Sequence, residues 1–276
     1  MNAAPSIRGS GFQAASRLAR SVARLRQHHR PIASPEMRAR DVVIAVRYLR
    51  SLPTLRLATS ATLNGVRVRH KAASVSEISP VGAARAVLEV APSDDDYLRG
   101  RRMQAMRTNL RHAAAQGFST HVADADETRE VLRRRRERGY KNTFELEGQM
   151  MILLRDSTGS TSALAIATVD GEWAYLERFG RSPRSGAAGL AREELMFGRY
   201  LLALALVHQL RDGGVGFLHA GSALAPTPQV QYFQYLTGFD VANLRIAKQH
   251  ASSSARSPGR VVGTASGRGA EATSRS

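Results

Sequence analysis

The stretch EWAYLERFGRSPRSGAAGLAREEL, residues 172–195, decides the fold. Trp173, Tyr175 and Phe179 set large side chains along a strand over 173–179, and aromatics in that pattern belong to a packed core. Residues 180–189 are a Gly/Arg/Ser loop, and a long apolar helix is predicted over 191–210. A short strand at 215–218 follows, then a second helix closing on Thr237-Gly238-Phe239. A strand that passes through a Gly/Arg loop to a helix N-terminus is a ready anion site. Unpaired backbone N–H groups, the positive helix end and guanidinium groups converge there.

Working outward, 149–155 and 162–169 read as two further strands, with hairpin-like connections at 156–160 and 170–171. Residues 118–123 make a short strand, 126–139 a helix, and 241–246 a last strand. The order from 118 is therefore β-α-β-β-β-α-β-α-β. Arg133, Arg134, Arg135 and Arg136 follow one another in the 126–139 helix. At about 100° per residue they cannot share a face, so the run reads as solvated surface.

Upstream, Ser34-Pro35-Glu36 supplies a helix start, with Val42, Val43, Val46 and Leu49 spaced for a short helix over 36–51. From 54 to 90 the pattern turns to strands. Leu55 and Leu57 alternate with Arg56. Val66 and Val68 alternate with Arg67 and Arg69 after an Asn64-Gly65 turn, and 86–90 forms a third run. Ser93-Asp94-Asp95-Asp96 is a strong helix start, and a helix over 96–116 presents Met103, Met106 and Leu110 on one stripe before Gly117 stops it. Arg99, Arg101, Arg102, Arg107 and Arg111 lie off the stripe and read as a solvated face.

The net charge of +17 is unevenly spread. Residues 1–35 carry six Arg and no acid, 247–276 a net +4, and the remaining 36–246 only +7. Within 1–35, Ala15, Leu18, Ala19 and Val22 fall at helical spacing, a basic pattern that an organellar presequence, a membrane-surface helix or a nucleic-acid arm would share, and the segment reads as a flexible basic leader. Residues 247–276 are Ser/Gly/Ala/Arg-rich and expected to be disordered. Of 40 basic residues only three are Lys, a skew that fits codon bias better than a shaped binding face. The longest apolar run, 201–207, is far short of the roughly 20 residues that span a bilayer. Absence of cysteine excludes disulfides, thiolate chemistry and Cys-ligated zinc, and it suits a reducing, cytoplasmic setting. The eight His show no metal spacing, so no metal is expected. No Walker A loop and no Gly-x-Ser-x-Gly elbow occurs.

The order of elements resembles the GNAT acyltransferase superfamily. The segment Pro92-Ser-Asp-Asp-Asp-Tyr97-Leu-Arg-Gly-Arg-Arg-Met through Gly117 is similar to the FemAB-like branch, as are Arg181-Ser-Pro and Gly213-Gly-Val-Gly-Phe-Leu218. The resemblance covers roughly 85–246. It implies an α+β fold: a GNAT-like mixed, largely antiparallel sheet flanked by helices, with disordered basic tails. Residues 36–117 would supply N-terminal strands and the Arg-rich helix, and 118–246 the GNAT-like core. It further implies a fourth strand that splays from the fifth, and acyl-CoA inserted between them. The loop would wrap the pyrophosphate through Arg181, Arg184, Gly186, Gly189 and Arg192. Counted from Arg184, the family motif places glycine at 187, where this chain has Ala187, and the usual tyrosine of the last helix at 234, where it has Gln234 beside Tyr235.

Acyl transfer to an amine needs a polarised carbonyl, a base for the ammonium proton and an acid for the leaving group. Glu177 and His219, near strand ends, are the base candidates, and Tyr235 is the acid candidate. The expected reaction moves an acyl or aminoacyl group from acyl-CoA, or from aminoacyl-tRNA, to a small-molecule amine. Two other readings stay open at this level. One is a GNAT-like protein that binds without catalysis, and the other a basic protein holding tRNA or another nucleic acid through its ends.

Overall fold

The computed structural model describes residues 43, 47, 50–73, 84–137, 139, 149–181, 194–223 and 227–247. The tails 1–35 and 248–276, and the loop 182–193, lie outside the described residues. Of the helix expected over 36–51, Val43, Arg47, Arg50 and Ser51 are described, and they are helical.

Eight strands form one mixed sheet in the order β1-β8-β2-β7-β6-β5-β4-β3. They are β1 (Thr54–Leu57), β2 (Ala84–Glu89), β3 (Ser119–Val122), β4 (Gln149–Arg155), β5 (Thr161–Asp170), β6 (Trp173–Arg181), β7 (Phe217–Ser222) and β8 (Asp240–Ile246). The helices are α1 (Leu63–Ala73), α2 (Asp94–Tyr97), α3 (Gln104–Ala115), α4 (Ala125–Glu137), α5 (Glu194–Asp212) and α6 (Pro228–Leu236). Only β1–β8 and β6–β7 pair in parallel, so the fold is α+β with a largely antiparallel sheet, as the sequence implies. From β3 onward the element order is the expected one.

Strand alternation assigns the two faces. In β4, Ile152 and Leu154 join the core under α3 and α5, while Met151 and Leu153 meet Val131 and Leu132 of α4. In β5, Ala163, Ala165 and Ala167 lie on the α5 face, and Leu164 and Ile166 on the α4 face. Three alanines in a row leave room for α5 to approach. Gly198 uses that room, since a Cβ there would sit 2.6 Å from Leu154 Cδ2. Nearer the other edge, Val68 and Ala72 of α1 pack on Leu57, Val87, Trp173 and Ala242.

Four expectations are corrected. Residues 66–69 are not a strand: α1 runs through them. Alternating Val and Arg satisfies a two-residue period, but Gly65, Val68 and Ala72 also fall at helical spacing, and those are the buried positions. The helix start is Thr62, whose Oγ1 accepts the Gly65 N–H at 3.2 Å. The 96–116 helix is broken at Gly100, whose φ of 89° lies outside helical geometry, so α2 and α3 are joined through a 3₁₀ turn (Arg101–Met103). The start at Ser93 is as expected, with Oγ accepting the Asp96 N–H at 3.1 Å. The Arg-rich face is only partly solvated. Arg102 Nε donates to the Tyr235 carbonyl at 2.8 Å, its Nη1 meets Asp240 Oδ2 at 3.0 Å, and its Nη2 donates to the Phe239 carbonyl. Arg107 donates to the Leu98 and Gly100 carbonyls at the helix break. Paired carbonyl acceptors explain both, because a broken helix and a helix end leave orphan oxygens that need donors. In the Arg133–Arg136 run, Arg133 and Arg134 pair with Glu130 on the surface, while Arg135 is buried.

At the α1 start, Asp170 accepts the Ser60 N–H at 2.7 Å and the Ser60 hydroxyl at 2.5 Å. A Cβ on Gly65 would lie 2.8 Å from both Asp170 Oδ2 and Ser60 N, and against the Ser60 carbonyl. Helix propensity favours Ala over Gly by about 1 kcal/mol, but forced overpacking costs about 1–3 kcal/mol. Gly65→Ala is therefore expected to lower the urea midpoint, with an unchanged m-value. A raised midpoint would show that this approach is looser than described.

Candidate functional site

The parallel pairing of β6 and β7 is short: Trp173 faces Phe217, Ala174 faces Leu218 and Tyr175 faces His219. Beyond Tyr175 the two strands separate. β7 goes on along β2, pairing Ser222 with Arg85, while β6 stays on β5 as far as Arg181. A bulge contributes to the divergence. Ile166 pairs with Arg178 and Ala167 with Leu176, so Glu177 is the extra residue in β6. An extra residue bends and twists its strand and shifts the alternation after it. Leu176 and Phe179, three apart, both end up on the α5 face.

The gap holds a cleft of about 990 Å³ between β6, β7, α5 and α6. Leu88, Leu176, Ala203, Leu206 and Leu218 form its inner wall, and Tyr97, Gln234 and Thr237 supply polar groups. Tyr97 donates its hydroxyl to the Thr237 carbonyl at 2.8 Å. Burial holds that phenol protonated far above its ordinary range. Tyr200 is likewise raised, by burial first, with nearby Arg199 opposing. Phe233 packs between Phe179 at 5.4 Å and Tyr200 at 5.3 Å, with the Arg199 guanidinium 4.8 Å above its ring. Arg181 and Arg199 are the cationic side chains among the described lining.

The residues singled out from sequence are distributed differently from what a single reacting centre requires. Arg181 lies on the cleft, at the end of β6. Arg184, Gly186, Gly189 and Arg192 fall outside the described residues. Glu177 is on the opposite side of the sheet. Arg67 of α1 grips its carboxylate through Nε–Oε1 at 2.7 Å and Nη2–Oε2 at 2.8 Å, and Thr168 Oγ1 donates at 3.1 Å. His219 also faces α1, its ring 4.9 Å from Tyr175 and 6.5 Å from Trp173, with no accessible surface. Tyr235 stands outside the cleft over Arg102, whose Cζ is 4.4 Å from its ring, while Gln234 takes the inward position with its Oε1 buried and unpaired. The displacement of tyrosine by one residue, legible in the sequence, is realised in space.

Reading the sequence missed Arg199, Tyr200 and Tyr232. Arg199 and Tyr200 lie on the first two turns of α5, and Tyr232 lies on α6. Tyr97 was visible only as part of a motif, and its hydroxyl ties α2 to the end of α6. Among the described residues no group of three or more His, Asp or Glu is placed to hold a metal, and no helix is long and apolar enough to cross a membrane.

No protein-family model matches the chain, and no curated protein does so significantly. Solved structures similar to it include three of interest. The C-terminal domain of a putative lysylphosphatidylglycerol synthetase from Agrobacterium fabrum is 16% identical over 58% of each chain, with a TM-score of 0.39. FemX is 10% identical over 58% of this chain and 60% of its own, at 0.41. A GCN5-related N-acetyltransferase from Kribbella flavida is 16% identical over 58% of this chain and 55% of its own, at 0.33. The chain spans 58%, 44% and 55% of the first three solved structures it matches. GNAT and FemAB-like proteins are thus both among the structures this chain is similar to, and the fold itself rests on the strand order above.

The buried imidazole has a consequence for stability. Burial first, then the Arg85 guanidinium, push His219 down to about 3, with the Val68 backbone acting weakly the other way. The folded state keeps the ring neutral, whereas the unfolded chain takes up a proton near 6.5. Stability from this group is complete above about pH 6.5 and falls by up to roughly 1.4 kcal/mol per unit as pH drops toward the folded value. Chemical denaturation of the wild type at pH 7.5 and 5.5 should show that loss, and His219→Phe should flatten it. Equal slopes in both proteins would remove His219 as the cause.

Proposed function

We propose that this protein is an N-acyltransferase that moves an acyl group from acyl-CoA to an amine. The observation that carries the reading is the parting of β6 and β7 after Tyr175 and His219, with Arg181 beside the opening. Past that point no described strand pairs with β6 on the β7 side, where backbone N–H groups would suit a bound carbonyl. Arg181 at the end of β6 and, in the following loop, Arg184, Gly186, Gly189 and Arg192 would hold the donor phosphates, where glycines and a helix N-terminus suit an anion.

The amine nitrogen attacks the thioester carbonyl carbon, the C–S bond breaks, the sulfur gains a proton and the nitrogen loses one. Tyr200, held protonated and lining the cleft, is the proton donor in this reading. Among the described residues neither a carboxylate nor an imidazole lines the cleft, so the amine enters neutral or gives its proton to water. Much of the rate then comes from holding two substrates together. The rate should rise with pH up to the acceptor's own pKa.

Calorimetry with CoA and acetyl-CoA tests the donor. The wild type is expected to bind, and Arg181→Ala or the pair Arg184→Ala with Gly186→Val should weaken binding about tenfold or more, the loss of one charge-assisted contact. No binding by the wild type, or equal binding by all variants, would overturn the acyl-CoA reading. Binding of aminoacyl-tRNA alone would move the donor to that class.

A further inference from the structure

The geometry points to a fatty acyl chain as the group this cleft takes, rather than an acetyl or aminoacyl group; this rests on the acyltransferase reading and narrows its substrate. Three observations converge. The first is length. Met196 and Leu206 both line the cleft and are ten residues apart on α5, so it runs about 15 Å along that helix at 1.5 Å per residue. An acetyl group extends one C–C bond, about 1.5 Å.

The second is the chemistry of the inner end. Leu88, Leu206 and Leu218 are each no more than 3% exposed, yet they border open space. Interiors are close-packed, and apolar side chains facing a gap forgo their contacts on that side. Of the polar groups there, the Tyr97 hydroxyl and the Thr237 carbonyl satisfy each other, which leaves the Gln234 Oε1 as a neutral unpaired acceptor. An aminoacyl group would bring an ammonium to this wall, where the described lining has no carboxylate to meet it. Alkyl carbon needs no such partner.

The third is the rim. Met196, Val230 and Tyr232 line the cleft and are 45%, 46% and 62% exposed. Large exposed apolar side chains gathered at one opening mark a site for apolar ligand. They continue the inner wall outward, while Arg181 and Arg199 keep positive charge beside it for the phosphates of the carrier. The reaction remains balanced as amine plus acyl thioester giving amide plus free thiol, with no further reactant.

The test is a titration series with CoA, acetyl-CoA, octanoyl-CoA and dodecanoyl-CoA, and with decanoate alone. Each buried methylene tightens binding roughly three- to fourfold, so dodecanoyl-CoA should bind about a hundredfold tighter than acetyl-CoA once about four are buried. Ala203→Phe, which fills the middle of the cleft, should bring the ratio of dodecanoyl-CoA to acetyl-CoA affinity down to about one, both measured on that variant. If thermal melting shows that variant unfolded, Leu176→Trp serves in its place. Equal affinity along the series, or a long-chain advantage that survives both variants, overturns the inference. Failure of CoA and acetyl-CoA to bind, with decanoate bound and displaced by Ala203→Phe, would leave the chain site standing and remove the CoA reading. Failure of every probe would remove both.

Discussion

The paired hydrogen bonds between Arg67 and Glu177 hold the point on which the site depends. Glu177 is the extra residue of β6, and a bulge leaves its residue without a regular ladder partner. Here the carboxylate is anchored from below by a guanidinium on α1 and a hydroxyl on β5. The anchor fixes the bend, the bend turns Phe179 toward α5, and the strands part above it. Glu177, a base candidate on its charge, is held by Arg67 and Thr168 on the face away from the cleft. The pair is part-buried, with side chains 18% and 13% exposed, so its attraction is screened less than that of a surface ion pair.

The face opposite the cleft is correspondingly rich in polar side chains under cover. Arg85 has no accessible surface and gives Nε and Nη2 to the Ala72 carbonyl at 3.1 and 2.5 Å, satisfying the last turn of α1. Burial lowers its pKa, with Tyr175 opposing. His219 lies in the same layer. Helix α1 is thus held at its start by Asp170, in its middle by Glu177 and at its end by Arg85. At the far side of the cleft, Arg102 performs the comparable service for α6 and β8. Both walls of the cleft are braced from outside it.

Much of the fold was legible in the sequence because β4 and β5 are apolar runs bounded by turn residues and α5 is long and apolar. Val66 and Val68 misled, since an alternating pair fits a strand and a helix alike and only burial against Trp173 separates them. Gly100 interrupts a helix that its flanking stripe promises, because propensity at one position outweighs the stripe there. The candidate site was less legible for a specific reason. The inserted residue leaves no mark in the composition and moves Phe179 to the α5 face, while Glu177 keeps the face of Trp173 and Tyr175 and His219 lies on that same side, away from the cleft. The Gln234/Tyr235 exchange was legible because it is local to one helix, where 100° per residue fixes the outcome. The parallel pairing of β1 with β8 joins segments nearly two hundred positions apart, and nothing local announces it.

The alanine row of β5 and Gly198 of α5 have a meaning beyond packing. Ala163, Ala165, Ala167 and Gly198 set how near α5 lies to the sheet, yet none of them borders the cleft. Enlarging any of them would lift one wall and leave every lining residue unchanged. Drift at these hidden positions would retune the size of molecule accepted, so two descendants of this chain with identical linings would differ in preference. Comparing lining residues alone would miss it.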